Sequence, residues 1–262
     1  MPEDNDSSPG TWFVSCEDLF ISSDGLLRIP HPNDQAEARL VCFPPAGAEA
    51  FMYDGWVALL PESIELCAVQ LPEQEQDVSR VIADLAESLL KHRRPGQRFF
   101  FIGLCLGAVW AFEVARYLRD RAGVQPEHLI VVTYPAPDRR QPAVDFMRTQ
   151  AFVQIMTSYF PPDSPEYHYV LSRLPVMQHA ADLADQTLPP LGTPLACPLT
   201  AFASAHDQVI DPQSLQSWQP YTSGRFSLHM CDGDHFYGDL RREEFMQAVV
   251  GYLQEDRSRL PV

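Results

Sequence analysis

Residues 103–107 read Gly-Leu-Cys-Leu-Gly, inside the stretch FFFIGLCLGAVWAFEVAR at 99–116. An apolar run precedes the five residues and a helical pattern follows them. A strand that turns sharply into a helix, with glycine on both sides of the tip, projects the tip residue toward the carboxyl edge of a sheet. Cys105 at that tip is a candidate nucleophile, and the competing reading is a buried core thiol. The strand ahead and the helix behind favour the nucleophile. A thiol in that role needs a base to take its proton and an acid to orient the base. His235, in CDGDHFYGD, lies between the last strand-like run and the closing helix. His206 and His229 compete for the role, but His229 falls inside a strand pattern and His206 directly precedes the acid candidate. That acid is Asp207 in ASAHDQVID, with Asp211 the main rival and Asp232 and Asp234 behind it. Developing negative charge would be met by two backbone amides. Leu106 follows the nucleophile and supplies one. In PPAGA, Pro44 and Pro45 cannot donate, so Ala46 is chosen over Gly47 for the other.

The elements that position these residues follow from periodicity. Short apolar runs at ARLVCF, IELCAV, RFFFIG and HLIVV read as buried strands of a mainly parallel sheet. DVSRVIADLAESLLKH carries apolar residues at helical spacing, with Asp77 as its N-cap. Residues 1–36 are polar with two apolar patches and read as a loosely attached N-terminal arm holding a short strand or hairpin. Residues 140–190 break the strand–helix alternation with three helix-like stretches at 144–159, 166–174 and 176–188, separated by prolines. A helical insertion there acts as a lid over the core formed by 37–139 and 191–262. Its apolar residues Phe146, Phe152, Met156 and Phe160 are candidates for the wall of a pocket beneath the lid, although core packing explains their spacing equally well. PLTAFASAHD and FSLHMCDGDH read as the last two strands, and REEFMQAVVGYLQE as the final helix. The fold class is therefore α/β.

With 262 residues, 45% of them hydrophobic, the chain can bury a large core. Its net charge of −16 argues against binding nucleic acid or docking on anionic membranes. The acidic start MPEDNDSSPG is unlike a secretory signal, and no apolar run is long enough to span a bilayer. The six cysteines show no Cys-x-x-Cys pair and no metal-ligand spacing. A reduced, cytoplasmic protein with no metal is the simplest account.

Taken together, RLVCFPPAGA, ELCAVQLPEQE, FFFIGLCLGAVWAFEVARYLR, HDQV and GDHF resemble the stand-alone (type II) thioesterases of polyketide and non-ribosomal peptide biosynthesis. The likeness runs in order from about residue 38 to 250. It implies an α/β-hydrolase fold with a helical lid, and a triad of Cys105, Asp207 and His235 with Ala46 and Leu106 at the oxyanion hole. It also implies an acyl or peptidyl carrier protein as partner. The acyl substrate arrives on that partner's phosphopantetheine arm, so no cofactor of the chain's own is expected. A carrier's arm is negatively charged, which makes Arg93-Arg94 and Arg139-Arg140 candidate docking spots. Three features depart from the family. Leu104 and Cys105 stand where it usually has histidine and serine, Glu73-Gln74-Glu75 where it tends to Gly-Arg-Glu, and the N-terminal arm is longer. Dienelactone hydrolases also carry a cysteine at this turn, but CFPPAG and AFEVAR favour the thioesterases. A non-catalytic carrier-binding protein would have no need to keep the three triad positions. Sulfur changes the chemistry, because an acyl-Cys remains a thioester and reacts with amines or thiols as readily as with water. An acyltransferase or cyclase is thus the alternative to a hydrolase.

Overall fold

The computed structural model describes residues 19–255, apart from residues 74, 138–142, 159, 188–191 and 236–241. Eight strands form one sheet in the order β1-β2-β4-β3-β5-β6-β7-β8. They are β1 (Phe20–Ile21), β2 (Leu27–Ile29), β3 (Ala38–Phe43), β4 (Ile64–Val69), β5 (Arg98–Leu104), β6 (His128–Val132), β7 (Leu199–Ser204) and β8 (Phe226–Cys231). Strands β3 to β8 run parallel, while β1 and β2 pair antiparallel at one edge. All six residues of β3 are buried, as expected of an interior strand covered on both faces. The mainly parallel α/β sheet read from the sequence is the sheet observed.

On one face lie α1 (Val78–Lys91) and α2 (Gly107–Ala122), whose Val81, Leu85, Leu89, Val109 and Val114 pack onto β3 and β5. Asp77 caps α1 as its sequence suggests, with Oδ1 accepting from the amides of Ser79 at 2.9 Å and Arg80 at 3.3 Å. The opposite face is covered by α6 (Arg242–Glu255) and a 3₁₀ segment at Ala50–Leu59 that the periodicity had not signalled. Trp56 and Phe245 meet there with ring centroids 5.7 Å apart.

Two regions differ from the sequence reading. The short hairpin expected in the N-terminal arm is present as β1 and β2, but it is not loosely attached: Leu27 and Ile29 are buried and β2 pairs with β4, so residues 20–29 are integral to the sheet. Alternation explains it: Leu27 and Ile29 face the core, while Arg28 between them pairs with Asp54. In the helical insertion, α3 (Ala143–Met147) and α4 (Gln150–Thr157) are short, but α5 (Pro165–Asp185) runs unbroken through Pro175. Proline removes one helical hydrogen bond and usually interrupts a helix. Here Val170, Met177, Ala180, Ala181 and Ala184 are buried along one side of α5, and that packing holds the helix together across the defect.

Candidate active site

Cys105 sits one residue past β5 with φ 48°, in the left-handed region that side chains rarely adopt. The flanking glycines are required by contact. A Cβ on Gly103 would lie 2.4 Å from the Gly107 carbonyl oxygen, and one on Gly107 would lie 2.2 Å from the carbonyl oxygen of Phe43. The turn is therefore tight enough to press the start of α2 against the ends of β3 and β5. The Cys105 amide is fixed in turn by the Val132 carbonyl at 2.9 Å.

The loops after β7 and β8 are drawn together by Ala205 N–H donating to the Cys231 carbonyl and His206 N–H to that of Gly233, both at 2.9 Å. This brings Asp207 and His235 into contact, with His235 Nδ1 2.8 Å from Asp207 Oδ2. The second carboxylate oxygen accepts from the amides of Val209 at 2.8 Å and Ile210 at 2.9 Å, so its orientation is set. The His235 and Asp207 side chains are 6% and 2% exposed. Burial alone would pull the imidazole's pKa down. Cys105, charged and hydrogen-bonded beside the ring, and Asp207 override burial and push it up to about 10. The arrangement favours an imidazolium held between Cys105 and Asp207.

The rival residues are engaged elsewhere. Asp211 caps the 3₁₀ segment Pro212–Tyr221 through the amide of Gln213. Asp232 pairs with His206 at the surface, 3.2 Å apart. His229 stacks on Phe202, with ring centroids 4.9 Å apart.

After β3, Pro45 to Ala48 close a turn through Ala48 N–H and the Pro45 carbonyl at 3.1 Å, with Gly47 at φ 74°. That is the pattern of a type II turn, which needs glycine at its third position and leaves the amide of its second residue, Ala46, unbonded. The N–H groups of Ala46 and Leu106 have no acceptor among the described residues.

Cys105 and His235 open onto a cavity of about 940 Å³ whose wall includes Ala46, Leu104, Phe146, Phe152, Met156 and Met177. Three of the four proposed acyl-pocket residues thus lie on it. Phe160 does not line the cavity, because the chain turns after α4 and the Phe160 amide donates to the Thr157 carbonyl at 3.1 Å. Sequence reasoning missed Arg173 of α5, which reaches the Gly47 carbonyl through Nε at 2.9 Å and Glu73 through Nη2 at 2.6 Å. Glu73, one of the acidic residues that depart from the family pattern, has its partner there.

The arginine pairs proposed for docking fare differently. Arg93 donates to the Gln97 carbonyl and lies over Phe99, and Arg94 pairs with Glu65. Both stand at the amino edge of the sheet, away from the cavity, and are committed to the fold. Arg139 and Arg140 lie outside the described residues. Among those residues no group of His, Cys, Asp and Glu is placed to hold a metal, and no helix is long and apolar enough to cross a membrane.

Comparison with known proteins places the site in context. Residues 38–254 match the thioesterase domain family. Over 251 residues the chain is 32% identical to a protein named linear gramicidin dehydrogenase LgrE of Brevibacillus parabrevis, covering 89% of this chain and 94% of that one. It is 30% identical to thioesterase PikA5 of Streptomyces venezuelae, covering 90% and 88%. Among solved structures it resembles the RedJ thioesterase of the prodiginine pathway in Streptomyces coelicolor. The TM-score is 0.74 at 28% identity, covering 84% of this chain and 87% of that one.

Proposed function

The chain belongs to the thioesterase domain family, and from that premise we propose that it is a type II thioesterase-like enzyme of polyketide or non-ribosomal peptide biosynthesis. It releases acyl groups from the phosphopantetheine arm of an acyl or peptidyl carrier protein through a covalent acyl-Cys105 intermediate. The contact of His235 with both Cys105 and Asp207 at the wall of a largely apolar cavity carries the reading. Of the activities named for its relatives, a dehydrogenase and a thioesterase, this constellation supports the second.

In the first step the Cys105 sulfur attacks the thioester carbonyl. Ala46 and Leu106 donate their N–H groups to the oxyanion, and the C–S bond to the arm breaks as the arm's thiolate takes the proton of His235. An imidazolium already in place suits that step. Once Cys105 is acylated its charge is gone, and His235 loses one of the two groups that raise it, so its proton affinity falls. The ring can then accept a proton from water as water attacks the acyl-Cys105, releasing the acid and regenerating the thiolate. Asp207 fixes the ring's tautomer throughout. The carrier's arm supplies the thiol, so the chemistry calls on no cofactor of the enzyme's own, and a cytoplasmic setting suits a free catalytic thiol.

The experiment is incubation with acyl-loaded carrier proteins, followed by intact mass spectrometry of the enzyme and identification of the released acyl product. A transient adduct on Cys105 and free acid are expected. No adduct and no turnover would sink the proposal. An adduct that survives in water but clears with an amine would replace hydrolysis by acyl transfer or cyclisation.

A further inference from the structure

A second residue in the cavity wall shares the unusual backbone of Cys105. Thr133 has φ 49° and is 3% exposed. It stands one residue past β6, as Cys105 stands one past β5, and the last paired residues of those strands are Leu104 and Val132. The two side chains therefore leave neighbouring strand ends side by side. A β-branched residue in the left-handed region is a true outlier, which persists only when its surroundings impose it. Those surroundings are the Thr133 amide donating to the Phe202 carbonyl at 2.8 Å and the Val132 carbonyl accepting from Cys105.

Thr133 lines the cavity, and its hydroxyl is not used by any described residue of the protein. Among the described residues, three with aliphatic hydroxyls line the cavity. Thr149 donates to the Phe146 carbonyl and Ser214 to that of Asp211. Thr133 Oγ1 has no hydrogen-bond partner among the described residues, yet it is not sealed inside the protein. A nearly buried hydroxyl without a partner costs stability unless something supplies one. Adjacent strands lie about 4.8 Å apart, roughly the distance from the sulfur of an acyl-Cys to the first carbons of its chain. Beyond that point the wall is apolar, with Phe146, Phe152, Met156 and Met177.

We propose that Thr133 is a specificity-determining residue whose hydroxyl bonds an oxo or hydroxyl group on the second or third carbon of the acyl chain, selecting oxygenated chains over plain aliphatic ones. This rests on the thioesterase reading. It assigns the site a substrate class: acyl thioesters polar near the carbonyl and apolar beyond it.

The test uses N-acetylcysteamine thioesters of hexanoic and 3-hydroxyhexanoic acid with the full chain and its Thr133→Val and Thr133→Ser variants. Valine keeps the shape and removes the hydroxyl, so kcat/KM for the hydroxylated substrate should fall about tenfold while that for hexanoyl moves by less than about threefold. Serine should restore the preference. Thr133→Ala repeats the comparison should the valine variant fold poorly. Equal loss on both substrates, or none on either, overturns the proposal. Acyl-Cys105 accumulating with both substrates in Thr133→Val but not in the unmodified protein also overturns it, because the hydroxyl would then serve the attacking water. If the unmodified protein forms no adduct with either thioester, the thioesterase reading itself fails, an outcome distinct from the others.

Discussion

The sheet carries a buried ionic cluster at each end, and the two are built to opposite purposes. At the amino edge, Arg39 and Glu65 face each other across β3 and β4, with Nε 2.7 Å from Oε2. Glu65 also accepts from the Asn33 amide, Arg94 and Gln97, while Arg39 donates to the His92 carbonyl and Arg94 to that of Ala36. Donors surround the carboxylate on every side. Burial would push Glu65 up, but Arg39 and the bonds from Asn33 and Arg94 hold it below the usual carboxylate range. At the carboxyl edge, Asp207 accepts from two amides and pairs with His235, but the cluster ends in Cys105 against an open cavity, beside two amides with no acceptor among the described residues. A buried cluster closed on itself fixes strand register; one left open on a single side can do chemistry.

The largest effect that would test this division is Cys105→Ala. It should abolish adduct formation and lower turnover by about 10⁴-fold or more, with the cooperative melt preserved, because the small side chain is not a pillar of the core. A collapse of the fold would return Cys105 to the structural reading. Asp207→Asn follows, with kcat down by about 10³–10⁴-fold as the tautomer and charge of His235 are lost. If kcat moved less than tenfold, a different carboxylate would be orienting the histidine.

The mirror experiment is Glu65→Ala, which strands Arg39 and Arg94 beside a cavity. Denaturant melts should show about 3–5 kcal/mol of destabilisation, with kcat per folded molecule unchanged. A selective loss of kcat would erase the contrast between the two edges. The same carboxylate predicts a pH signature. Its folded pKa lies below the unfolded value near 4.5, so its contribution is present above that value and is lost as pH falls through the folded one. Melting temperatures recorded downward from pH 5 should drop less steeply in Glu65→Gln than in the unmodified chain.

A smaller and more local effect is expected at His235. Followed by NMR, its ring should stay protonated through neutral pH and titrate at about 10. In Cys105→Ala the midpoint should fall, since the charged sulfur is one cause of the elevation. Identical titrations in the two proteins would remove the thiolate–imidazolium pair from the mechanism.

How much of this was legible beforehand follows from where each signal resides. The turn at Cys105 announces itself locally, because two glycines between an apolar strand and a helix have few other uses. The meeting of Asp207 with His235 was legible in chain order, and an open amide at Ala46 in the inability of the two preceding prolines to donate. What sequence hides is tertiary. Pro175 reads as a break until the buried side of α5 is seen to override it. The apolar patch at Leu26-Leu27 hints at a short strand, but nothing local says that it pairs with β4. Arg93 and Arg94 look like free surface charge until Glu65 and Phe99 are placed beside them. Thr133 gives no local sign of strain, since its φ is imposed by neighbouring strands; only its place just after an apolar strand, where α/β sheets bind their ligands, could have flagged it.

Arg173 tests the division most finely, because it looks like the amino-edge cluster yet stands on the cavity wall. Its guanidinium holds the Gly47 carbonyl and Glu73, with Glu49 at 3.8 Å, and α5 comes so close that a Cβ on Gly47 would meet Met177 Cγ at 2.4 Å. His179 adds a tie from the same helix to the Glu75 carbonyl at 2.8 Å. Helix α5 is thereby fastened to the turn that presents the Ala46 amide. Glu73 and Glu49 are 46% and 37% exposed, so solvent screens the ion pairs, and Arg173→Gln should cost about 1 kcal/mol or less. If the arginine serves only to hold the helix, activity per folded molecule should not move. If it also sets the turn, kcat should fall a few-fold with KM nearly constant, while alkylation of Cys105 by iodoacetamide, which passes through no oxyanion, keeps its rate. The bond to Gly47, one peptide from the donor, favours the second outcome. A loss confined to KM would assign Arg173 to the substrate's path instead of the turn at Ala46.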